Sequence, residues 1–507
     1  MITRTIPIET LDRVSKYIAA HFGLNFPRER YKELERGLIS AAHEIGCHDV
    51  KDCIQEILST ELSSEQIEVL ASYLTIGETC FHREHKSFDA FRNHILPELI
   101  NSRKNNERKI RIWSAACSSG EEAYTIAIII REMLDNIQDW NVTILASDIN
   151  IRALKKAEQG IYTEWSFRHV PPGFKEKYFK KRADKKYEIL PDIKKMVSFF
   201  YHNLIKDSYP SLHNNTNAMD VIFCRNAIMY FGLNERREVV RRFYQSLSEG
   251  GWIFVSPAEA SQQLFARFVT VNFPGAVLYR KISVQMKKTG IQPGVKIIGS
   301  EEQKQTPSVS KRRSIFRPGS EPEGTERKKT AAGSLKKVLS EQLQATYKDA
   351  LDNFLNGRYR EAVATLEQLI AQNENIDKAT ILIAKAKANQ GILKEALEWC
   401  EKALAMDKLN PTVHYLRATI LLEQDKVEEA RQALNRVIYL DHNFILAHYT
   451  LGNLAHLQGN RAAAERHFKN TLDLLKNCKQ DDVLPESEGI SAGRLREIVA
   501  SMLVRLL

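Results

Sequence analysis

Several absences in this 507-residue sequence narrow what it can be. No apolar run approaches the ~20 residues a helix needs to cross a bilayer. The stretch MITRTIPIETLDR at the amino terminus has no apolar core of the signal-peptide kind. A cytoplasmic protein without membrane insertion is therefore expected. The seven cysteines (47, 53, 80, 117, 224, 400 and 478) are odd in number, scattered and nowhere spaced C-x-x-C. That argues against a disulfide frame or a zinc site and favours buried free thiols. Histidines 21, 43 and 48 form no metal-ligand spacing either. The dinucleotide fingerprint G-x-G-x-x-G is missing from the central turn, where SAACSSGEE offers one glycine and no lysine. A pyrophosphate would find few close backbone amides there and no cation, so NAD and ATP are disfavoured.

The chain carries a net charge of +10, and most of that excess is local. Residues 286–340 contain thirteen Lys and Arg against five Glu, with no apolar period and many Pro, Gly and Ser. Such composition reads as a disordered basic linker, a solvated tether on which no nucleic-acid binding is expected. The length implies two or three domains.

Residues 1 to about 85 read as small amphipathic helices. Leu11, Val14, Tyr17 and Ile18 share a helical face, as do Tyr31, Leu34, Leu38 and Ile39, and again Cys53, Ile54, Ile57 and Leu58. From Arg83 the spacing of Phe88, Phe91, Ile95 and Leu99 is helical, which makes Gly77–His82 a loop. Thr79 and Arg83, four apart across this entry, either cap the helix or act on one ligand.

The stretch Lys109–Asp148 then reads as strand, tight turn, helix and strand, with Ser118, Ser119 and Gly120 in the turn and an acid at the second strand's end. A third strand runs MVSFFYHNLI, and a fourth, VIFC, ends at Arg225 and Asn226. A helix over Glu235–Leu247 is expected to stop at Gly250 and Gly251 before the strand WIFVSP. Between them KKRADKKYEILPD is a candidate β-hairpin. This alternation predicts a doubly wound α/β domain with its ligand at the carboxyl edge of the sheet. A cofactor without phosphates suits that edge. S-adenosyl-L-methionine carries a sulfonium, an amino-acid end and a ribose diol, for which Glu121 or Glu122, Arg83 and Asp148 are complementary; the glutamates could equally decorate a helix N-terminus, where the dipole favours acids.

The last third repeats. Gly357, Gly391, Asp425 and Gly459 are each 34 apart, and so are Ala350, Ala384, Ala418 and Gly452. Ala362, Ala396, Ala430 and Ala464 keep the interval, as do Leu366, Cys400, Leu434 and Phe468. This is the period of tetratricopeptide repeats, with Ile490–Leu507 as the terminal cap.

The segments ETCFHRE (78–84), WSAACSSGEEAYTIAI (113–128), ASDIN (146–150), HNL (202–204) and FCRNAIMYF (223–231), in this order, resemble CheR, the chemotaxis receptor glutamate O-methyltransferases, in the branch that carries a tetratricopeptide array. The resemblance implies a multidomain chain: an all-α domain over 1–85, a Rossmann-like class I methyltransferase domain over 86–282, the linker 283–340, four repeats over 341–478 and a capping helix over 485–507. It implies transfer of a methyl group from S-adenosyl-L-methionine to glutamate side chains on the cytoplasmic helices of methyl-accepting receptors, leaving S-adenosyl-L-homocysteine. Thr79 and Arg83 would contact the cofactor, Arg83 also facing the reacting centre. Glu122, rather than Glu121, would hold the methionine end and Asp148 the ribose. Asn203 and Leu204 would flank the adenine, Arg225 and Asn226 would line the pocket, and Tyr230 would lie near the methyl group.

The sequence departs from the family's N-E-T-x-F-F-R at Gly77 and His82, which bears on cofactor affinity. Residues 1–80 hold thirteen acids against eight bases, so electrostatic docking of an acidic receptor helix through that domain is weak. Two other readings compete: a weakened enzyme serving as a scaffold, and a methyltransferase for some non-receptor protein. The repeats are expected to present a concave surface to a protein partner.

Overall fold

Apolar residues at helical spacing open the chain with α1 (Ile8–Phe22), α2 (Tyr31–Ile45), α3 (Val50–Ser59) and α4 (Ser64–Leu74). Leu11, Val14, Ile18, Leu34, Leu38, Ile54 and Ile57 are buried among them, whereas Ile39 is 41% exposed. Gly23 ends α1 with φ +74°. A Cβ there would stand 2.2 Å from Ile205, so this glycine also admits a loop of the next domain. The computed structural model describes residues 6–47, 49–59, 62–105, 108–282, 344–372 and 376–506; the basic linker expected at 283–340 lies outside the described residues.

Phe88, Phe91, Ile95 and Leu99 are buried along α5 (His85–Ala90), a π-helical turn at Phe91–Ile95 and α6 (Leu96–Arg103). The chain then runs β1 (Lys109–Ala115), α7 (Glu121–Met133), β2 (Asn141–Asp148), α8 (Ile151–Gln159), β3 (Ile161–Tyr162), α9 (Phe174–Tyr178), β4 (Phe179–Lys181), β5 (Tyr187–Ile189), α10 (Pro191–Lys194) and β6 (Val197–Tyr201). It continues through β7 (Met219–Phe223), α11 (Leu233–Ser246), β8 (Leu247–Phe254), β9 (Val269–Phe273) and β10 (Ala276–Arg280). Seven strands form one sheet in the order β6-β2-β1-β7-β8-β10-β9, parallel through β8 and antiparallel beyond it. The order reverses at β1, which opens a crevice at the carboxyl ends of β1, β2 and β7. The candidate hairpin is β4 and β5, joined by β3 into a separate three-stranded sheet.

Two boundaries differ from the sequence reading. The third strand stops at Tyr201, because the Asn203 side-chain carbonyl accepts the amides of Ile205 and Lys206 and turns the chain. Gly250 and Gly251 do not stop α11. They lie inside β8, where the register against β7 shifts between Met219 and Val221.

The repeats are helix pairs: 344–355 with Tyr359–Ala371, Ile376–Asn389 with Leu393–Met406, Pro411–Glu423 with Val427–Leu440, and Ile445–Leu457 with Arg461–Leu475. Gly357, Gly391, Asp425 and Gly459 all take positive φ at the intrarepeat turn, with Asp425 at +59°. The terminal helix Ala492–Leu506 buries Leu495 and Val499 against the last repeat.

The array is not held away from the α/β domain. Leu212 packs with Ala384, Ala388, Leu416 and Ile420 of the first helices of the second and third repeats. Asn217 donates to the Ala388 carbonyl (3.3 Å) and Gln245 to that of Leu355 (3.1 Å). Tyr415 reaches His213 at 2.5 Å. The inner face expected to meet a partner thus carries a loop of the same chain. Among the described residues no helix is long and apolar enough to cross a membrane.

Candidate functional site

The turn after β1 is built from residues in the left-handed region, Ala116 (φ +63°), Ser118 (+50°) and Gly120 (+88°). At Gly120 a Cβ would lie 2.8 Å from the Ala157 methyl and 3.1 Å from the Phe199 ring, so only glycine fits. The turn aims the Ser118 amide at Asp148 Oδ2 (2.8 Å), and Asp148 Oδ1 accepts from the Asn150 amide (2.8 Å). Burial pushes the Asp148 carboxyl above its ordinary range, against the lowering effect of these amides.

At the very start of α7 the two glutamates part. Glu121 points away from the crevice and accepts from Ser119 Oγ (2.8 Å) and Ser166 Oγ (3.1 Å). Glu122 faces it, accepting from Ser114 Oγ (2.8 Å) and from Arg225 Nη1 (3.1 Å). Burial raises its carboxyl despite the neighbouring guanidinium.

Arg225 leaves the end of β7 almost fully enclosed. Its Nη2 donates to Glu84 Oε2 (2.9 Å) and to the Arg83 carbonyl (2.5 Å), and the guanidinium lies 5.1 Å from the Phe88 ring centre. Asn226 follows with φ +59°. The amides of Asn226 and Ala227 donate to the two oxygens of Glu259 (2.8 Å each), and Ser256 Oγ donates to the same carboxylate (2.7 Å).

Neither Thr79 nor Arg83 caps a helix: α5 begins at His85, with Glu84 at its N-cap in the left-handed region and no side-chain cap bond. Arg83 Nη1 donates to the Glu78 carbonyl (2.9 Å), and among the described residues Arg83 pairs with no carboxylate.

Two adjoining cavities result. The first is walled by Phe22, Leu24, Phe26, Leu204 and Phe231, with Asp148 on its polar side. The second holds Thr79, Arg83, Glu122 and Arg225. Ala116, Ser118, Asn226 and Tyr230 border both. Asn203 lines the first cavity, but its side-chain amide binds protein, donating to the His21 carbonyl (2.9 Å). An apolar slot beside an acid, next to a chamber with buried charges of both signs, suits a base, a ribose diol and an amino-acid zwitterion. The residues present therefore fit S-adenosylmethionine.

Gly77 and His82 fall in different settings. The Gly77 carbonyl accepts from Ser118 Oγ (3.0 Å), and a Cβ at Gly77 would meet only that oxygen, at 3.7 Å. His82 lines neither cavity; its ring packs edge-on against Phe88 and Phe174. Burial pushes the thiols of Cys117 and Cys224 far above their ordinary range, which disfavours the thiolate form.

Sequence reasoning missed Glu84, Glu259 and Arg30. Glu259 had a signal, since SPAE (256–259) has the capping-box spacing that the structure forms. Arg30 had none: tertiary folding sets its guanidinium 5.2 Å from the Tyr230 ring centre. Among the described residues no group of three or more His, Cys, Asp or Glu could hold a metal ion.

Residues 77–276 match the family described as CheR methyltransferase, SAM binding domain. Residues 355–437 match the family described as anaphase-promoting complex, cyclosome, subunit 3, and residues 445–469 match tetratricopeptide repeat. The chain is 34% identical over 253 residues to a chemotaxis protein methyltransferase of Borreliella burgdorferi, covering 50% of this chain and 88% of that one. It is 34% identical over 224 residues to chemotaxis protein methyltransferase 2 of Vibrio cholerae, covering 44% and 76%. Its repeats are similar to the crystal structure of MamA, at 17% identity and a TM-score of 0.25, over 33% of this chain and 91% of that one.

Proposed function

The chain belongs to the chemotaxis protein methyltransferase family, and from that premise we propose that its acceptors are glutamate side chains on the cytoplasmic helices of methyl-accepting chemotaxis receptors. S-adenosylmethionine supplies an electrophilic methyl on a sulfonium sulfur, which a carboxylate oxygen takes in line. The negative charge of the carboxylate and the positive charge of the sulfonium cancel, leaving a neutral ester and a neutral thioether, so the protein needs no strong base; it must align and desolvate the carboxylate.

The observation that carries the reading is Arg83. It is a guanidinium at the second cavity with no carboxylate partner among the described residues, beside Arg225, whose charge is taken up by Glu84 and Glu122. Arg83 would hold the incoming glutamate by charge-assisted hydrogen bonds. Tyr230, whose ring borders both cavities, would orient it. Glu122, with Arg225 and Thr79, would receive the amino-acid end of the cofactor, and Asp148 the ribose hydroxyls. Leu204 and the backbone of Asn203 would flank the base, and Asn226 would line the wall between the two cavities.

Incubating the protein with tritiated S-adenosylmethionine and receptor cytoplasmic fragments tests this. Mass spectrometry should find methyl esters on receptor glutamates. Label that appears only on another protein would overturn the receptor assignment. Failure of the wild-type protein to bind S-adenosylhomocysteine in calorimetry would overturn the enzyme reading in favour of a scaffold.

A further inference from the structure

The loop between β6 and β7 begins at the first cavity, with Asn203 and Leu204, and ends in the inner face of the repeat array, with Leu212 and His213. Its first turn is fastened at Asp207. One oxygen of this buried carboxylate accepts from the Asn203 amide (2.7 Å), while the Asp207 amide donates back to the Asn203 carbonyl (2.9 Å). The charge on Asp207 is answered from the far end of the chain. Arg494, on the terminal helix, donates from Nε to Asp207 Oδ1 (2.5 Å) and from Nη2 to Oδ2 (3.0 Å), a forked pair with both partners largely enclosed. The same guanidinium lies 4.5 Å from the ring centre of Tyr201, the last residue of β6. The segment leading into the terminal helix adds to this clamp. Glu488 accepts from the Leu212 amide (3.1 Å), the Glu486 carbonyl bonds His213 (2.6 Å), and Lys385 of the second repeat pairs with the Glu486 side chain (2.6 Å).

We propose that Arg494 is a positioning residue for the cofactor site: through its forked pair with Asp207 the carboxyl-terminal cap of the repeat array holds the Asn203–Leu204 turn in its binding conformation. The proposal rests on the first cavity being the nucleoside subsite. An enclosed carboxylate that loses its forked cation has reason to move toward water, and Asn203 is tied to Asp207 by its own amide on that carboxylate and by the Asp207 amide on its carbonyl. A shift of the terminal helix is thereby felt first at the nucleoside side of the site, whereas Glu122, Arg225 and Arg83 stand on other elements.

The test is calorimetry with S-adenosylhomocysteine on the full chain, together with steady-state methylation of receptor fragments. Arg494→Ala is expected to weaken S-adenosylhomocysteine binding and raise the KM for S-adenosylmethionine on the order of tenfold. The kcat at saturating cofactor and the KM for the receptor fragment should stay unchanged. Arg494→Lys, which keeps the charge and loses the fork, should lie between; it carries the test alone if the alanine variant does not fold. Gln245→Ala, which breaks a cross-domain hydrogen bond to the Leu355 carbonyl without touching Asp207, should bind the cofactor product as the wild type does. Unchanged affinity in both Arg494 variants would overturn the proposal, as would an equal loss of kcat and affinity, or a loss in Gln245→Ala matching that in Arg494→Ala. If wild-type protein itself fails to bind, the fault lies with the cofactor-site reading instead.

Discussion

Arg225 and Glu122 form an ion pair (3.1 Å) inside the crevice, and the same guanidinium reaches Glu84 at 2.9 Å, so one buried cation serves two carboxylates. Arg83, on the same wall, serves none among the described residues. This difference separates two arginines that sequence places in one pocket.

Arg83→Ala should lower methyl transfer about a hundredfold or more, with a melting temperature close to that of the wild type, because its side chain makes one bond to a carbonyl. Arg225→Ala should lose activity and also about 3–5 kcal/mol of stability, since two acids are left without their cation. Tritium transfer and thermal melts on both variants check the contrast. Equal activity of Arg83→Ala and wild type would remove Arg83 from the site.

At Gly77 the family's asparagine is absent, yet the backbone is not in the left-handed region and the space beyond is open. Gly77→Asn should therefore fold normally and bind S-adenosylhomocysteine several-fold more tightly, about 1 kcal/mol for one added hydrogen bond. Calorimetry on the variant decides. Weaker binding would show that Ser118, which donates to the Gly77 carbonyl, already fills that role.

His202 is buried against Trp113, Phe200 and Tyr209, and burial holds its pKa down, to about 4 from an ordinary 6.5, although Asp207 lies 3.6 Å away. The folded state thus resists protonation more than the unfolded chain. Its contribution is fully present above pH 6.5 and is lost as pH falls toward 4, by up to about 3 kcal/mol. Urea denaturation at pH 7.0 and pH 4.5 should show a smaller acid loss in His202→Asn than in wild type. Parallel losses in the two proteins would refute the assignment.

In the fourth repeat a glycine replaces the alanine of the others while phenylalanine replaces leucine or cysteine opposite it. A Cβ at Gly452 would stand 2.5 Å from the Phe468 ring. Gly452→Ala alone should cost about 1–3 kcal/mol by overpacking. Adding Phe468→Leu should recover part of it, so the two changes are non-additive in a double-mutant cycle followed by thermal unfolding.

Much was legible in the sequence because the signals are local. Periodicity of 34 marked the repeats, one glycine in the turn pointed away from phosphates, and the acid ending a strand marked Asp148. Strand and helix ends were less legible, as at Gly250 and Gly251, since a bulge in β8 depends on its partner β7. Arg30 reaches the site from the helical lead, and no spacing in the sequence records that.

What the sequence by itself determined is the set of parts: the helical lead, the doubly wound domain, the repeats and the charges available to a cofactor. These follow from hydrophobic period and turn chemistry, which act over a few residues. Only the tertiary structure decided that Arg83 is the arginine without a carboxylate partner among the described residues, and that the array's inner face meets Leu212, His213 and Asn217. Those outcomes depend on which distant groups neutralise a buried charge. Asp207 and Arg494 are 287 residues apart, yet they meet over the end of β6.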